Sequence, residues 1–181
     1  NVEVTPTVVN EWTLTPGYTY DKQDTGYTCG PTSMSMLLSE LGIKKSEAEL
    51  AKLMHTTTQG TGHQGFFDAM KSLGLKCYHD TIDNITWKKL EDITASPNAG
   101  AIFHTQISND GTTYDANGKL VWKDYRGGHY IYLIGINNPK DLLKVADPTK
   151  GELTYRFGQL QVATKLTLSK LKMPGVLVVS K

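Results

Sequence analysis

Little in this sequence is in surplus. Only two cysteines occur, Cys29 and Cys77, in 181 residues, too few for the disulfide framework that staples small secreted domains. Charge is short on both sides. Lys plus Arg number 19 against 18 Asp plus Glu, for a formal charge of +1. No basic excess exists to meet a phosphate backbone or an anionic membrane, so neither a nucleic acid nor a membrane is expected as partner. Long apolar runs are missing too. The longest, Tyr130–Ile136, is strand-length, against the roughly 20 residues of a membrane helix. Asn1–Asn10 has no basic n-region and no apolar h-region, so no signal peptide is read there, and the missing initiator Met suggests a processed or excised piece. No repeat, low-complexity tract or long linker divides the chain. Residues 1–181 are therefore expected to form one domain, acting as a monomer. With 39% apolar and 20% charged residues, the composition suits a packed fold that needs no metal to hold it.

What is present is orderly. In Pro31–Leu41, Met34, Leu37, Leu38 and Leu41 fall at i, i+3, i+4 and i+7, one face of a helix, with Pro31 in its first turn and Gly42 as its stop. Ser46-Glu47-Ala48-Glu49 reads as a capping box opening a second helix. A polar Thr/Gly loop spans residues 56–63. A third helix follows on Phe66, Met70 and Leu73, stopped by Gly74, and Trp87, Leu90 and Ile93 predict a fourth. From residue 99 the pattern changes to strands: Ala101–Ile107, His129–Ile136, Leu142–Ala146, Glu152–Phe157 and Gly175–Val179, with a turn at Asp115–Gly118 leading a hairpin into Leu120–Trp122. Helices first and strands second predict an α+β fold with an antiparallel sheet.

Cys29 lies at the start of the first helix. A helix N-terminus and a neighbouring imidazole lower a thiol pKa from about 8.5 into the range of roughly 3.5–7.5, and backbone N–H groups there can hold an oxyanion. Gly30 would let a substrate carbonyl approach the backbone. Such a nucleophile needs a base and a group to orient it. Among the five histidines, His129 is best placed, because Gly127-Gly128 leave space around the ring and an apolar strand holds it. The returning strand ends at Asp147, level with His129, where its carboxylate could accept the second ring N–H. Asp141, in the intervening turn, is the poorer candidate.

These residues resemble a known pattern. Gln23 six residues before Cys29, then Gly128-His129-Tyr130, then Asp147-Pro148 are similar to the papain-like cysteine peptidases that process double-glycine leaders, and to their free-standing relatives. The resemblance implies a helical part and an antiparallel sheet with the site in the cleft between them, no cofactor, and Gln23 as an oxyanion donor. More narrowly, Thr28-Cys29-Gly30-Pro31-Thr32-Ser33-Met34-Ser35-Met36, with the loop through Thr56-Thr57-Thr58 to Gly60-Thr61-Gly62-His63, resembles the cysteine endoisopeptidases that lyse archaeal pseudomurein. That implies cleavage in cell-wall peptides by a protein secreted or released at host lysis. The alternatives are a leader- or general peptide-processing peptidase of the same fold, and a peptide-binding module without catalysis.

The remaining candidates weigh less. Tyr27, Gly30, Gly128 and His63 are candidate substrate contacts, although a His in a Gly/Thr loop more often makes a local hydrogen bond. Cys77 reads as a small buried hydrophobe, and a Cys29–Cys77 disulfide would remove the nucleophile. His55, His79 and His104 lack the spacing of a zinc site. Asp110, Asp115 and Asn117 read as turn residues rather than a calcium loop. No metal is expected.

Overall fold

The computed structural model describes residues 7–107 and 112–181; Asp110 lies outside them. A short hairpin, β1 (Thr7–Val9) and β2 (Trp12–Leu14), precedes three helices, α1 (Cys29–Glu40), α2 (Glu47–Leu53) and α3 (His63–Ser72). Then come β3 (Lys76–Asp80), α4 (Trp87–Ala95), β4 (Ala99–Ile107), β5 (Gly127–Asn137), β6 (Leu142–Asp147), β7 (Gly151–Arg156), α5 (Phe157–Leu171) and β8 (Val176–Ser180). The fold is α+β with an antiparallel sheet, as the pattern predicts.

The sheet is organised around β5. Its first half pairs with β4, from Gly127 opposite Ile107 to Tyr132 opposite Ile102. Its second half pairs with β6, and Gly135–Ile136 also meet β2. β8 and β3 continue the sheet beyond β4, and β7 continues it beyond β6. Alternation along the strands then gives two cores. Ile102, Tyr130 and Tyr132 turn toward α1, α2 and α3, where Met34, Leu37, Leu50, Phe66 and Met70 are fully buried. Ala101, Phe103, Ile131 and Leu133 turn the other way, onto Leu90 and Ile93 of α4 and Leu160 of α5.

Local signals explain most elements. Ser46 Oγ accepts the Glu49 N–H at 3.1 Å, closing the N-terminus of α2. Gly42, at φ +78°, ends α1 in the left-handed conformation, and the Ile43 N–H returns to the Leu38 carbonyl. α1 begins two residues earlier than its apolar pattern predicts, which puts Cys29 inside its first turn.

Three expectations need correction. Helices do not all come first: α5 follows seven strands, and β3 lies between helices. Phe157 opens α5 and is not the end of a strand. The hairpin expected at Leu120–Trp122 shrinks to one bridge, Tyr114 with Leu120, because Asp115 folds the chain into a side-chain turn, its Oδ1 accepting the N–H groups of Asn117 and Lys119.

Candidate active site

Three elements meet where α1 begins. α1 supplies Cys29, the start of β5 supplies His129, and the end of β6 supplies Asp147. The antiparallel return of β6 along β5 brings the carboxylate to the imidazole: His129 Nε2 and Asp147 Oδ1 are 2.9 Å apart. Nδ1 is left for the thiol, to which His129 is hydrogen-bonded. Both cysteines are free, which excludes the disulfide.

Asp147 is fully buried and tightly held. Its Oδ1 also accepts the N–H groups of Thr149 at 2.8 Å and Lys150 at 3.1 Å, while its carbonyl accepts the Tyr20 hydroxyl at 2.7 Å. The ring of Trp122 stands edge-on to His129 at 4.9 Å, and Lys150 Nζ caps that indole at 4.7 Å. His129 is thus shielded, with only 3% of its surface exposed.

The electrostatics follow from these contacts. Burial pushes the Cys29 thiol up, but the hydrogen bond and charge of His129, with the backbone N–H groups of Tyr130 and Gly30, bring it below its ordinary value. For His129 burial favours the neutral ring, yet the Asp147 charge and hydrogen bond, together with Cys29, raise it to about 10. The arrangement favours a thiolate–imidazolium pair. Cys77 contrasts with it: burial alone pushes that thiol up to about 12, so it is inert at neutral pH.

The first turn of α1 carries no side-chain cap. Thr28 at the cap position spends its hydroxyl on Thr25, at 2.7 Å. The N–H groups at this helix start therefore stay available to a negative charge.

Gln23 lies on the loop leading into α1. Its Nε2 donates to the Thr25 carbonyl at 2.6 Å and its Oε1 accepts the Thr149 hydroxyl at 3.0 Å. One Nε2 hydrogen is uncommitted by these bonds. The loop is fastened on both sides. The Gln23 N–H bonds the Pro148 carbonyl at 3.0 Å. The buried Glu47 carboxylate accepts the Asp24 N–H, at 3.0 and 3.1 Å, and the Thr32 hydroxyl at 2.7 Å. Glu47 is a residue that sequence reasoning misses. As the first residue of α2 it has a local role at hand, and nothing in the pattern points fifteen residues back to Thr32.

The other predicted contacts fare differently. Tyr27 is exposed beside the loop. Gly30 is buried, and the close approach it permits is internal: a Cβ there would stand 3.1 Å from Thr61 Oγ1 and 3.3 Å from Phe66. Gly30 thus lets α1 pack on the 61–66 segment. His63 is not in the polar loop. It is the first residue of α3 and is buried, with Nδ1 2.7 Å from His79 Nδ1 and Nε2 2.8 Å from His104 Nδ1. Its partners are remote in sequence, not local, and its burial removes it from direct contact with substrate. Gly128 is exposed, but the space its missing side chain leaves is bordered by Gln106 and His104. Among the described residues, no group of His, Cys, Asp and Glu is arranged to hold a metal.

Comparison with known proteins agrees with this geometry. The Peptidase_C39 like family matches residues 15–164. An uncharacterised protein of Methanothermobacter marburgensis is 43% identical over 54 residues, 30% of this chain and 38% of that one. The matched stretch thus spans well under half the length of that relative. Two solved structures share the fold. The peptidase domain of Streptococcus ComA, a bifunctional ABC transporter of a quorum-sensing pathway, superposes with a TM-score of 0.61 at 20% identity, over 91% of this chain and 98% of that one. A C39-like peptidase from Bacillus anthracis gives 0.63 at 16% identity, over 90% and 94%.

Proposed function

Since the chain belongs to the Peptidase_C39 like family and is a cysteine peptidase, we propose that Cys29 is its nucleophile, His129 its acid and base, Asp147 the group that orients His129, and Gln23 an oxyanion donor. The observation that carries this reading is the buried His129–Asp147 contact at 2.9 Å, in a ring that also bonds the Cys29 thiol at the start of α1.

The steps follow from the positions. The Cys29 thiolate attacks a carbonyl carbon. Negative charge moves to the carbonyl oxygen, toward the Cys29 N–H and the free hydrogen of the Gln23 amide. His129, already protonated, passes its proton to the departing amine, and the C–N bond breaks to leave a thioester on Cys29. Water then attacks the thioester while His129 accepts a proton, and the acid leaves as the thiol pair re-forms.

The substrate proposed is a cell-wall peptide, cut at an ε-amino isopeptide bond. Support comes from the resemblance of the Thr28–Met36 segment to pseudomurein endoisopeptidases, and from the archaeal source of the matched relative. Near-zero net charge gives no steering toward a charged polymer, so recognition falls to the cleft itself. Such a protein would act outside its host or at host lysis. The test is a matched pair of synthetic substrates that differ only in α or ε linkage, beside lysis of pseudomurein walls. The ε-linked substrate should be cut faster and the walls should clear. Equal or faster cleavage of the α-linked substrate would favour the general peptide-processing reading instead.

A further inference from the structure

The segment that leads into α1 lies across the turn between β6 and β7 and is joined to it by four hydrogen bonds. The Tyr20 hydroxyl donates to the Asp147 carbonyl at 2.7 Å and accepts the Gly151 N–H at 3.1 Å. The Gln23 N–H bonds the Pro148 carbonyl at 3.0 Å. The fourth bond is between side chains: the Thr149 hydroxyl donates to Gln23 Oε1, also at 3.0 Å. Thr149 has no step in the mechanism above.

This last contact bears on what the Gln23 amide presents. The Thr25 carbonyl can only accept, so it selects Nε2 and leaves Oε1 to face Thr149. With the Thr25 contact alone, the amide plane could turn about that one bond. A second contact at the opposite end of the amide fixes the plane, and with it the direction of the uncommitted Nε2 hydrogen. Donation to Oε1 also polarises the amide, which makes that hydrogen a better donor. Threonine suits the task. Its branched Cβ restricts χ1, and its own N–H is held by Asp147 Oδ1 at 2.8 Å, so the hydroxyl is aimed before a substrate arrives.

We propose that Thr149 is a positioning residue for the oxyanion site, holding the Gln23 amide toward the carbonyl oxygen under attack. The proposal rests on the reading of Gln23 as an oxyanion donor. One residue then serves both halves of the chemistry. Through its backbone Thr149 steadies the carboxylate that orients His129, and through its hydroxyl it steadies the donor that meets the oxyanion. The two functions separate cleanly, because Thr149→Val keeps the backbone N–H and the side-chain shape and removes only the hydroxyl.

The experiment measures turnover of the ε-linked substrate above, and acylation of Cys29 by p-nitrophenyl acetate, an ester that builds an oxyanion without any wall chemistry. Thr149→Val should lower kcat and the acylation rate by about 3- to 10-fold, the scale of one neutral hydrogen bond, with KM within about twofold. Thr149→Ser should recover to within about twofold of wild type. Gln23→Ala should lose about 10²–10³. In that background Thr149→Val should cost less than about twofold, since no amide is left to aim. Iodoacetamide alkylates Cys29 by displacement, without an oxyanion. Its pH profile should therefore be the same in Thr149→Val as in wild type, because the Asp147 contacts remain. A native rate in Thr149→Val, a loss that persists in full beside Gln23→Ala, or a shifted alkylation profile overturns the proposal. If Gln23→Ala itself keeps a native rate, the oxyanion reading of Gln23 fails and the proposal falls with it. Should wild type react with neither substrate, the substrate reading fails separately and the Gln23 side-chain amide resonances decide. They should shift in Thr149→Val and stay near wild type in Thr149→Ser; an unmoved pair, or an equal shift in both variants, overturns the proposal.

Discussion

Replacing Asp147 by Asn changes one charge and almost no volume. In the native site Oδ1 accepts three N–H groups, from His129, Thr149 and Lys150, and an amide oxygen can keep all three. Oδ2 is buried with no partner among the described residues, so the new NH2 would point into a place without an acceptor. Leaving a buried donor unpaired costs about 1–3 kcal/mol of stability. The catalytic effect is separate. Losing a carboxylate beside an imidazolium should lower the pKa of His129 by about 1–3 pH units, or about 1.4–4 kcal/mol of proton affinity. The alkaline limb of activity, which in wild type reflects His129 at about 10, should move down toward neutrality. Lost protonation alone should lower kcat at pH 8 by up to about tenfold, and by more at pH 9. The assay is kcat from pH 5 to 11 for wild type, Asp147→Asn and Asp141→Asn. An alkaline limb that stays in place in Asp147→Asn would refute the role given to its charge, as would an equal loss in Asp141→Asn.

Gln23→Glu keeps the acceptor for the Thr149 hydroxyl but removes the amide donor. It should lower kcat by about 10²–10³, with a small drop in unfolding temperature from the lost bond to the Thr25 carbonyl; a near-native kcat would remove Gln23 from the oxyanion site. Acid should weaken the fold through the hydrogen-bonded line of His79, His63 and His104. His63 and His104 have folded pKa values depressed below their ordinary 6.5, to about 4 and about 3. Their contribution is therefore present above about pH 6.5 and is lost as pH falls toward those values, at up to about 1.4 kcal/mol per pH unit for each. Urea unfolding at pH 7, 5.5 and 4.5 should show a shallower decline in His63→Asn than in wild type, and parallel declines would contradict this. Glu40 is half-buried with its carboxylate sealed from solvent, and that burial pushes it up to about 8 although the Lys181 charge and the Tyr132 hydroxyl pull it down. Its raised value stabilises the fold at acid pH relative to alkaline pH, and that advantage is lost between about 4.5 and 8. Glu40→Gln should therefore gain stability relative to wild type above pH 8; a variant weaker at every pH would show that Tyr132 and Lys181 outweigh the burial of the charge.

What the sequence made legible was local. The apolar stripe of α1, the Ser46 cap, the apolar run of β5 and the return through β6 are short-range patterns, and together they bring Cys29, His129 and Asp147 into one neighbourhood. α5 escaped because its buried stripe, Phe157, Leu160, Ala163, Thr164 and Thr167, includes two threonines. The Thr164 hydroxyl is satisfied one turn back by the Leu160 carbonyl, and that of Thr167 by the His104 carbonyl, a partner that only the fold supplies. β3 escaped because it is an edge strand whose sequence barely alternates. The histidine line joins residues from three separate elements, each unremarked in its own segment. Glu47 and Trp122 belong to the same class: their importance lies in what the tertiary fold lays against them.

The central claim is that Cys29 reacts as a thiolate held by His129, and the pH dependence of its alkylation tests it most directly. Iodoacetamide labelling, with Cys29 and Cys77 resolved by peptide mass, should show Cys29 reacting well below the ordinary thiol pKa of 9.0 from which it is lowered, while Cys77 stays silent at neutral pH. In His129→Ala the Cys29 profile should shift upward, because burial alone then acts on the thiol. A Cys29 profile that rises only around pH 9 in the wild type, and does not change in His129→Ala, would contradict the account.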